Sequence, residues 1–424
     1  MSVTERQYAL DLDAQDPLAK YREQFIIADT NVCYLDGNSL GRIPKKTVDI
    51  VNNYLVNEWG AWVVDGWAHW IDEAQTTGDL IGRATLGAVA GQTLAVDTTS
   101  VNFYQLVGAA LKARPGRKTI IIDSANFPTD RYVLQGYAEN LGLKLITINN
   151  EEGGVAEQER ITPEILQGYL SDDVAVVCLT VVQYRSGARN DIKAVTDAVR
   201  AHGALTIWDA SHSAGSIAMD FDANGVDLAV GCTYKYGNSG PGAPGWLYVS
   251  NRVQDELQVP IQGWFAQADQ FEMGPDFEKA KGIRGFQIAS PPILGYRCIQ
   301  SAFSMIEEAT ISVMEDKCAR GTQMMIELYD AWLADLGFTL MTPRDAALRG
   351  GHITIHHPEA KRIAVAMRRF AHVIPDFRQP NQIRLAMSPL PTSYTEVWDG
   401  FQRIRDLVAS QQYEKVELDK SRVT

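Results

Sequence analysis

Short apolar runs alternate with helical stretches through the middle of this chain. The runs at 118–123, 174–180, 204–209, 227–232 and 246–250 are rich in β-branched and aromatic residues, and they predict buried strands. Several of the intervening stretches, such as 191–202, have helical patterning. That alternation is the pattern of βαβ units around a mostly parallel sheet. Nearer the start, Val48, Val51, Leu55 and Trp59 recur at helical spacing and predict a helix. After Pro292 the character changes. Long helical patterns run from about 293 to 335, followed by a strand-like segment at 351–357 and a closing helix. The closing helix opens with Ser393 and Glu396 at capping-box spacing and lines up Val397, Phe401, Ile404 and Val408 on one face. The expected division is an N-terminal segment, 1–59, packing with the small domain, a large domain, 60–300, and a smaller α+β domain, 301–424.

Composition narrows the class. The 424 residues are 46% hydrophobic and 21% charged, enough apolar material for a large core and unlike a disordered chain. A net charge of −13 argues against general binding to a nucleic-acid backbone. No apolar stretch reaches the length of a membrane span. The first residues lack the basic and apolar regions of a signal peptide. Five cysteines, odd in number and without CxxC spacing, predict a reducing cytoplasm with neither a disulfide framework nor a thiolate zinc site. His352, His356 and His357 come nearest to a metal cluster, but the adjacent pair point to opposite faces of a strand, so no metal is expected.

Ligands of such sheets bind at the carboxyl ends of the strands. The polar residues that follow those strands are therefore the candidates. Asp209 ends a very apolar run, where a carboxylate needs a cation or several donors. A protonated pyridine nitrogen is one such partner, and helix capping is another. Lys235 follows a buried strand and precedes the Gly/Pro-rich turn 237–242, which cannot be helix. A lysine held on a rigid turn beside a sheet can lose its proton and condense with an aldehyde. Tyr234 beside it could donate to a phosphate. Asp97-Thr98-Thr99-Ser100 precedes an apolar helical stretch, and a helix N-terminus with hydroxyls suits either a plain cap or a phosphate. Phe127, in Asn126-Phe127-Pro128-Thr129-Asp130, could stack on a planar ring or occupy an ordinary turn. Arg384, inside an apolar run, is either a surface strand residue or a bidentate clamp for a carboxylate. Residues 60–72 carry Trp62, Trp67, His69 and Trp70, which suit packing or interface surface as well as a pocket wall. GxGxxG, P-loop, GxSxG and HExxH motifs are absent.

In order and spacing, these motifs resemble the kynureninase family over nearly the whole chain. The resemblance is carried by YLDGNSLG at 34–41, DTTS at 97–100, NFPTD at 126–130 and VQYRSG at 182–187. It continues through WDASHSAG at 208–215, TYKYGNSGPG at 233–242, GWF at 263–265, PPI at 291–293 and IRLAMSPL at 383–390. It implies an α/β fold of the pyridoxal-phosphate fold type I class, with a mostly parallel sheet in the large domain. The implied cofactor is pyridoxal 5'-phosphate, bonded by Lys235, with Asp209 on the ring nitrogen and His212 close by. The implied cofactor-binding set adds Thr98, Thr99, Phe127, Thr129, Asp130 and Tyr234. Trp264 and Ser290 match phosphate contacts that the neighbouring subunit supplies, so a homodimer is expected. Arg384 and Ser39 match substrate-binding positions, and Tyr234 a proton relay. The implied activity is hydrolytic Cβ–Cγ cleavage of L-kynurenine or 3-hydroxykynurenine to the anthranilate and L-alanine.

The chain departs from the family pattern in places. GWFGH becomes Gly263-Trp264-Phe265-Ala266-Gln267, YKYLN becomes Tyr234-Lys235-Tyr236-Gly237-Asn238, and Ala289-Ser290 precedes Pro-Pro. Residues 60–70 differ as well. These changes keep open a hydrolase of another γ-keto amino acid. A cysteine-desulfurase-like lyase is a further alternative, and a cofactor-binding pseudoenzyme a third.

Overall fold

The strands at the centre are apolar on both faces, so they fold only where both faces are covered. In the computed structural model, which describes residues 2–150 and 159–418, they form a seven-stranded sheet flanked by helices. The spatial order is Thr93–Ala95, Trp246–Val249, Leu228–Gly231, Leu205–Asp209, Val174–Thr180, Thr119–Asp123, Lys144–Ile148. Val174–Thr180 is buried at every position, as are Thr119–Asp123 and Leu205–Asp209. Trp246–Val249 runs antiparallel to both neighbours, and the other described pairings are parallel. Two strands escaped the sequence reading. Thr93–Ala95 is too short to show a period, and Lys144–Ile148 is an edge strand with half-exposed residues. The chain runs outward from Thr119–Asp123 to Lys144–Ile148, then doubles back to Val174–Thr180. The order therefore reverses between Thr119–Asp123 and Val174–Thr180, and a crevice opens at such a reversal.

The smaller unit is a four-stranded antiparallel sheet ordered Asp376–Arg378, Gln382–Ala386, His352–His356, Thr339–Leu340. Ile353 and Ile355 point into its core with Ile383 and Leu385. The alternating residues His352, Thr354 and Arg384 therefore share the other face. The helix Tyr394–Ala409 covers this core, with Ser393 Oγ accepting from the Glu396 N–H at 3.0 Å, as the capping-box spacing predicts. The helical stretch after 292 is divided. Ile293–Ala309 ends at Thr310, whose φ of +70° breaks the ladder, and Ile311–Leu328 starts anew. The first of these helices packs on the large core, the second mostly on the small one. The first 59 residues divide likewise. Leu18, Tyr21, Phe25 and Tyr54 join the large core, whereas Ala9, Cys33 and Leu35 join the small one.

The early helical pattern produces Lys45–Asn53, which continues as a wider turn, Tyr54–Trp59. Its apolar stripe faces outward, with Val48, Leu55 and Trp59 exposed. The aromatic stretch that follows closes on itself. Trp67 packs edge-on against the buried Trp70, while Trp62 lies 4.7 Å from the ring of His69.

Candidate active site

Each strand near the reversal delivers one polar group to the crevice. Asp209 is the last residue of Leu205–Asp209, and its Oδ1 accepts the Ser211 N–H at 2.7 Å. After Thr119–Asp123 the chain turns at Asn126, whose Oδ1 accepts the Phe127 N–H at 2.7 Å, and Pro128 then opens the helix Pro128–Leu141. Lys235 lies in the loop after Leu228–Gly231. That loop is fastened from a distance, because the Gly41 N–H donates to Tyr234 O at 2.8 Å. A Cβ on Gly41 would lie 2.3 Å from Lys235 O, so only glycine allows this approach.

These elements enclose a cavity of about 100 Å³ that brings together Thr99, Phe127, Thr129, Asp130, Asp209, His212, Tyr234 and Lys235. An adjoining hollow of about 500 Å³ is lined by Thr98, Thr99, Tyr234 and Ser290 of the same chain. Thr98 caps the helix Thr99–Ala113 through its hydroxyl, and the start of that helix, Thr99 and Ser100, lines the hollow. Lys235 Nζ lies 2.9 Å from His212 Nε2 and 5.9 Å from the Phe127 ring centre. Burial lowers the Lys235 amine below its ordinary value, with the nearby thiol and Asp209 opposing that shift. Burial, then the cations Lys235 and Arg384, hold the His212 imidazole well below its usual range. Asp130 is pushed well up, first by burial and then by the charge of Asp209, to which it is hydrogen-bonded. Of the pair, Asp130 is the carboxyl that burial favours as the hydrogen-bond donor. The neighbouring Cys232 thiol, then burial, raise the Tyr234 phenol.

Arg384 and Ser39 lie behind this cavity rather than in its lining. Arg384 is fully buried, with Nη1 donating to Tyr184 O at 2.6 Å and Nη2 to Ser39 Oγ at 2.9 Å. Its Nε is held closely by Asp376, which also takes Arg378. Tyr184 carries the contact forward, since it lines the cavity and meets Phe127 edge-on at 5.3 Å. Trp264 is 44% exposed and borders a separate surface hollow with Gln267. None of Trp62, Trp67, His69 and Trp70 lines the cavity of its own chain.

The sequence reading passed over Tyr184, Ser211, Asp376 and His352 as site residues. For Asp376 and His352 the signal was the alternation of the small sheet, which puts them on the face of Arg384. Of the departures from the family pattern, Gly237 and Gln267 fall outside the two site hollows, whereas Ser290 lines the second. Gly237 backs onto the buried Phe303, and Gln267 accepts from the Glu278 N–H at 2.7 Å.

The donor set fits pyridoxal 5'-phosphate. Asp97 Oδ2, Thr180 Oγ1 and His212 Nδ1 are buried without partners around the two hollows. A helix N-terminus with two threonines suits a phosphate, and an amine and a carboxylate line one cavity. Fold and site together define a pyridoxal-phosphate fold type I enzyme. The same fold occurs in the apo cysteine desulfurase of Thermococcus onnurineus NA1, with TM-score 0.77, 18% identity and coverage of 92% of this chain and 98% of that one. It recurs in a C-DES mutant with glycine covalently linked to the PLP cofactor, with TM-score 0.77 and 15% identity over 92% of this chain and 98% of that one.

Sequence comparison is more specific. The kynureninase of Pseudomonas fluorescens is 35% identical over 412 residues, covering 96% of each chain. That of Deinococcus radiodurans is 36% identical over 392 residues, 91% of this chain and 92% of the relative. The description "Kynureninase C-terminal domain" matches residues 314–404. The chain belongs to the kynureninase family.

Proposed function

We propose that this protein hydrolyses L-kynurenine or 3-hydroxykynurenine to L-alanine and anthranilate or 3-hydroxyanthranilate. The observation that carries the reading is the buried Lys235, sharing one cavity with Asp209, Phe127 and His212, in a chain similar to kynureninases along its length. When bound, pyridoxal phosphate supplies an aldehyde for the amino group and a protonated ring that takes up an electron pair. Asp209, anchored by the Ser211 N–H and the Asp130 carboxyl, is placed to hold the ring-nitrogen proton. Phe127 would pack on the ring, and Thr98, Thr99 and Tyr234 would take the phosphate.

Lys235 Nζ removes the substrate α-proton, a role that its burial favours by lowering its proton affinity. Arg384 and Ser39, set behind Tyr184, would receive the substrate carboxylate in exchange for their bonds to each other and to Tyr184 O, and Tyr234 returns a proton to the departing side. Water adds to the side-chain γ-carbonyl and the Cβ–Cγ bond breaks. Its oxygen leaves in the aryl carboxylic acid, and the amino-acid fragment takes a proton to become alanine.

Trp264 and the outward-facing Val48, Leu55, Trp59 and Trp67 support a homodimer in which Trp264 reaches the partner's phosphate. The separation of the two cores supports a large and a small domain. Unpaired cysteines support a reducing cytoplasm. A desulfurase-like reaction needs a reactive thiol on a mobile loop. Here Cys318 is buried on a helix with its thiol raised by burial, and Cys298 is half-buried on another.

The test is Lys235→Ala. Wild-type enzyme loaded with pyridoxal phosphate should show visible absorbance from the lysine–cofactor bond and release fluorescent anthranilate from kynurenine. The variant should lose the band and at least about 10²–10⁴-fold in turnover. A variant keeping both removes Lys235 from the role.

A further inference from the structure

His352 has no place in the chemistry described so far, yet it is wholly buried beside the site. It opens the strand His352–His356, two residues before Thr354, which pairs with Arg384. It therefore shares the face of the small sheet that meets the large domain. Its ring centre is 5.7 Å from that of His212. Neither ring nitrogen has a well-aligned hydrogen-bond partner, and His212 Nδ1 is equally unpartnered. Buried polar atoms of this kind call for an explanation. The backbone carbonyls of Tyr184 and Arg185 approach the His352 ring and favour an N–H on the nitrogen they face. A neutral imidazole has one N–H, so its second nitrogen is then an acceptor. Burial, followed by Arg384 and Lys235, keeps His352 neutral. His212 is kept neutral by burial and by Lys235, Arg384, His352 and Arg378.

The polarity of the row follows. An acceptor nitrogen on His352, reached through one water, favours the proton of His212 on Nδ1. That leaves His212 Nε2 bare, and Nε2 is the atom 2.9 Å from Lys235 Nζ. A neighbour that hydrogen-bonds one imidazole nitrogen, and so sets which nitrogen carries the proton, is a recurrent device in functional sites.

We propose that His352 is a positioning residue that sets the tautomer of His212, so that His212 meets Lys235 with a bare Nε2. The inference rests on the reading of Lys235 as the cofactor-bonding lysine. In the loaded enzyme, the bare Nε2 accepts the proton carried on Lys235 Nζ and holds it there to higher pH.

The experiment compares loaded wild-type enzyme, His352→Phe and His352→Gln. Nitrogen-15 NMR of the histidine side chains reads the tautomer of His212, and visible absorbance against pH reads the proton on Nζ. Wild type should show His212 protonated at Nδ1. His352→Phe, which fills the space without an acceptor, should mix the tautomers and move the absorbance midpoint down by about 0.5 pH unit or more. His352→Gln keeps an acceptor oxygen and should restore both. An Nε2-protonated His212 in wild type overturns the proposal even if His352→Phe does not fold. So does an unchanged tautomer and midpoint in His352→Phe. If wild type forms no visible band, the assignment of Lys235 fails instead, and the NMR arm still decides the role of His352.

Discussion

The two walls of the crevice are built on different principles. The large-domain wall hangs Asp209, Phe127 and Lys235 on strands buried at every position, and Asp209 and Phe127 find hydrogen-bond partners within two residues. The small-domain wall centres on Arg384, whose partners come from residues 39, 184 and 376. The first wall is a hydrophobic scaffold with chemistry at its edge. The second is a ring of charges closed by tertiary structure. Removing a side chain from the first should cost chemistry and spare the fold. Removing one from the second should leave a buried charge uncompensated.

The sharpest contrast lies between Lys235→Ala and Asp376→Asn. The lysine variant, inactive as described above, should keep or slightly raise its melting temperature, because it gives up a buried cation. Asp376→Asn should destabilise the enzyme by about 3–5 kcal/mol, since Arg384 would stay buried without its carboxylate. Thermal or urea unfolding measures both, and an Asp376→Asn protein as stable as wild type would dissolve the distinction.

A second contrast concerns pH. Burial and then the charge of Asp376 push the Asp36 carboxyl from 3.8 up to about 6, partly offset by Ser39. Between those values the folded chain holds a proton that the unfolded chain has released. Stability therefore falls as pH rises through this window, by about 3 kcal/mol. Asp36→Asn should flatten the fall. Unfolding midpoints at several pH values decide this, and an unaltered slope would take Asp36 out of the charge ring.

The smallest effect probes how the large-domain wall is backed. A Cβ on Gly237 would lie 2.4 Å from Thr233 O and 2.9 Å from the Phe303 ring. Gly237→Leu should cost about 1–3 kcal/mol through overpacking, and pairing it with Phe303→Ala should recover much of that. Equal stability of the single and double variants would show that the two positions do not compete for space.

Much of the large-domain wall was legible along the chain. The strand ending at Asp209 and the turn carrying Lys235 are local signals, because an apolar run followed by a polar residue or a Gly/Pro turn says where a strand stops. The capped closing helix was legible for the same reason. The short strand Thr93–Ala95 and the reversed direction of Trp246–Val249 were not, since neither leaves a periodic trace. Arg384 stood out as an arginine in an apolar run, but its bond to Ser39 spans 345 positions. His352 was noticed only as part of a histidine cluster. Its alternation with Ile353 and Ile355 was visible, but not what its own face would meet.

The sequence by itself determined most of the central strands, their order along the chain and the family to which they belong, because those follow from side-chain periodicity and from motifs read within a few residues. Tertiary structure alone decided which apolar stripes stay outside, which carboxylate meets Arg384, and that His352 lies beside His212. Those outcomes depend on how two sheets and an N-terminal segment close on one another. In the interior they create, a charge or an imidazole takes its properties from neighbours far away along the chain.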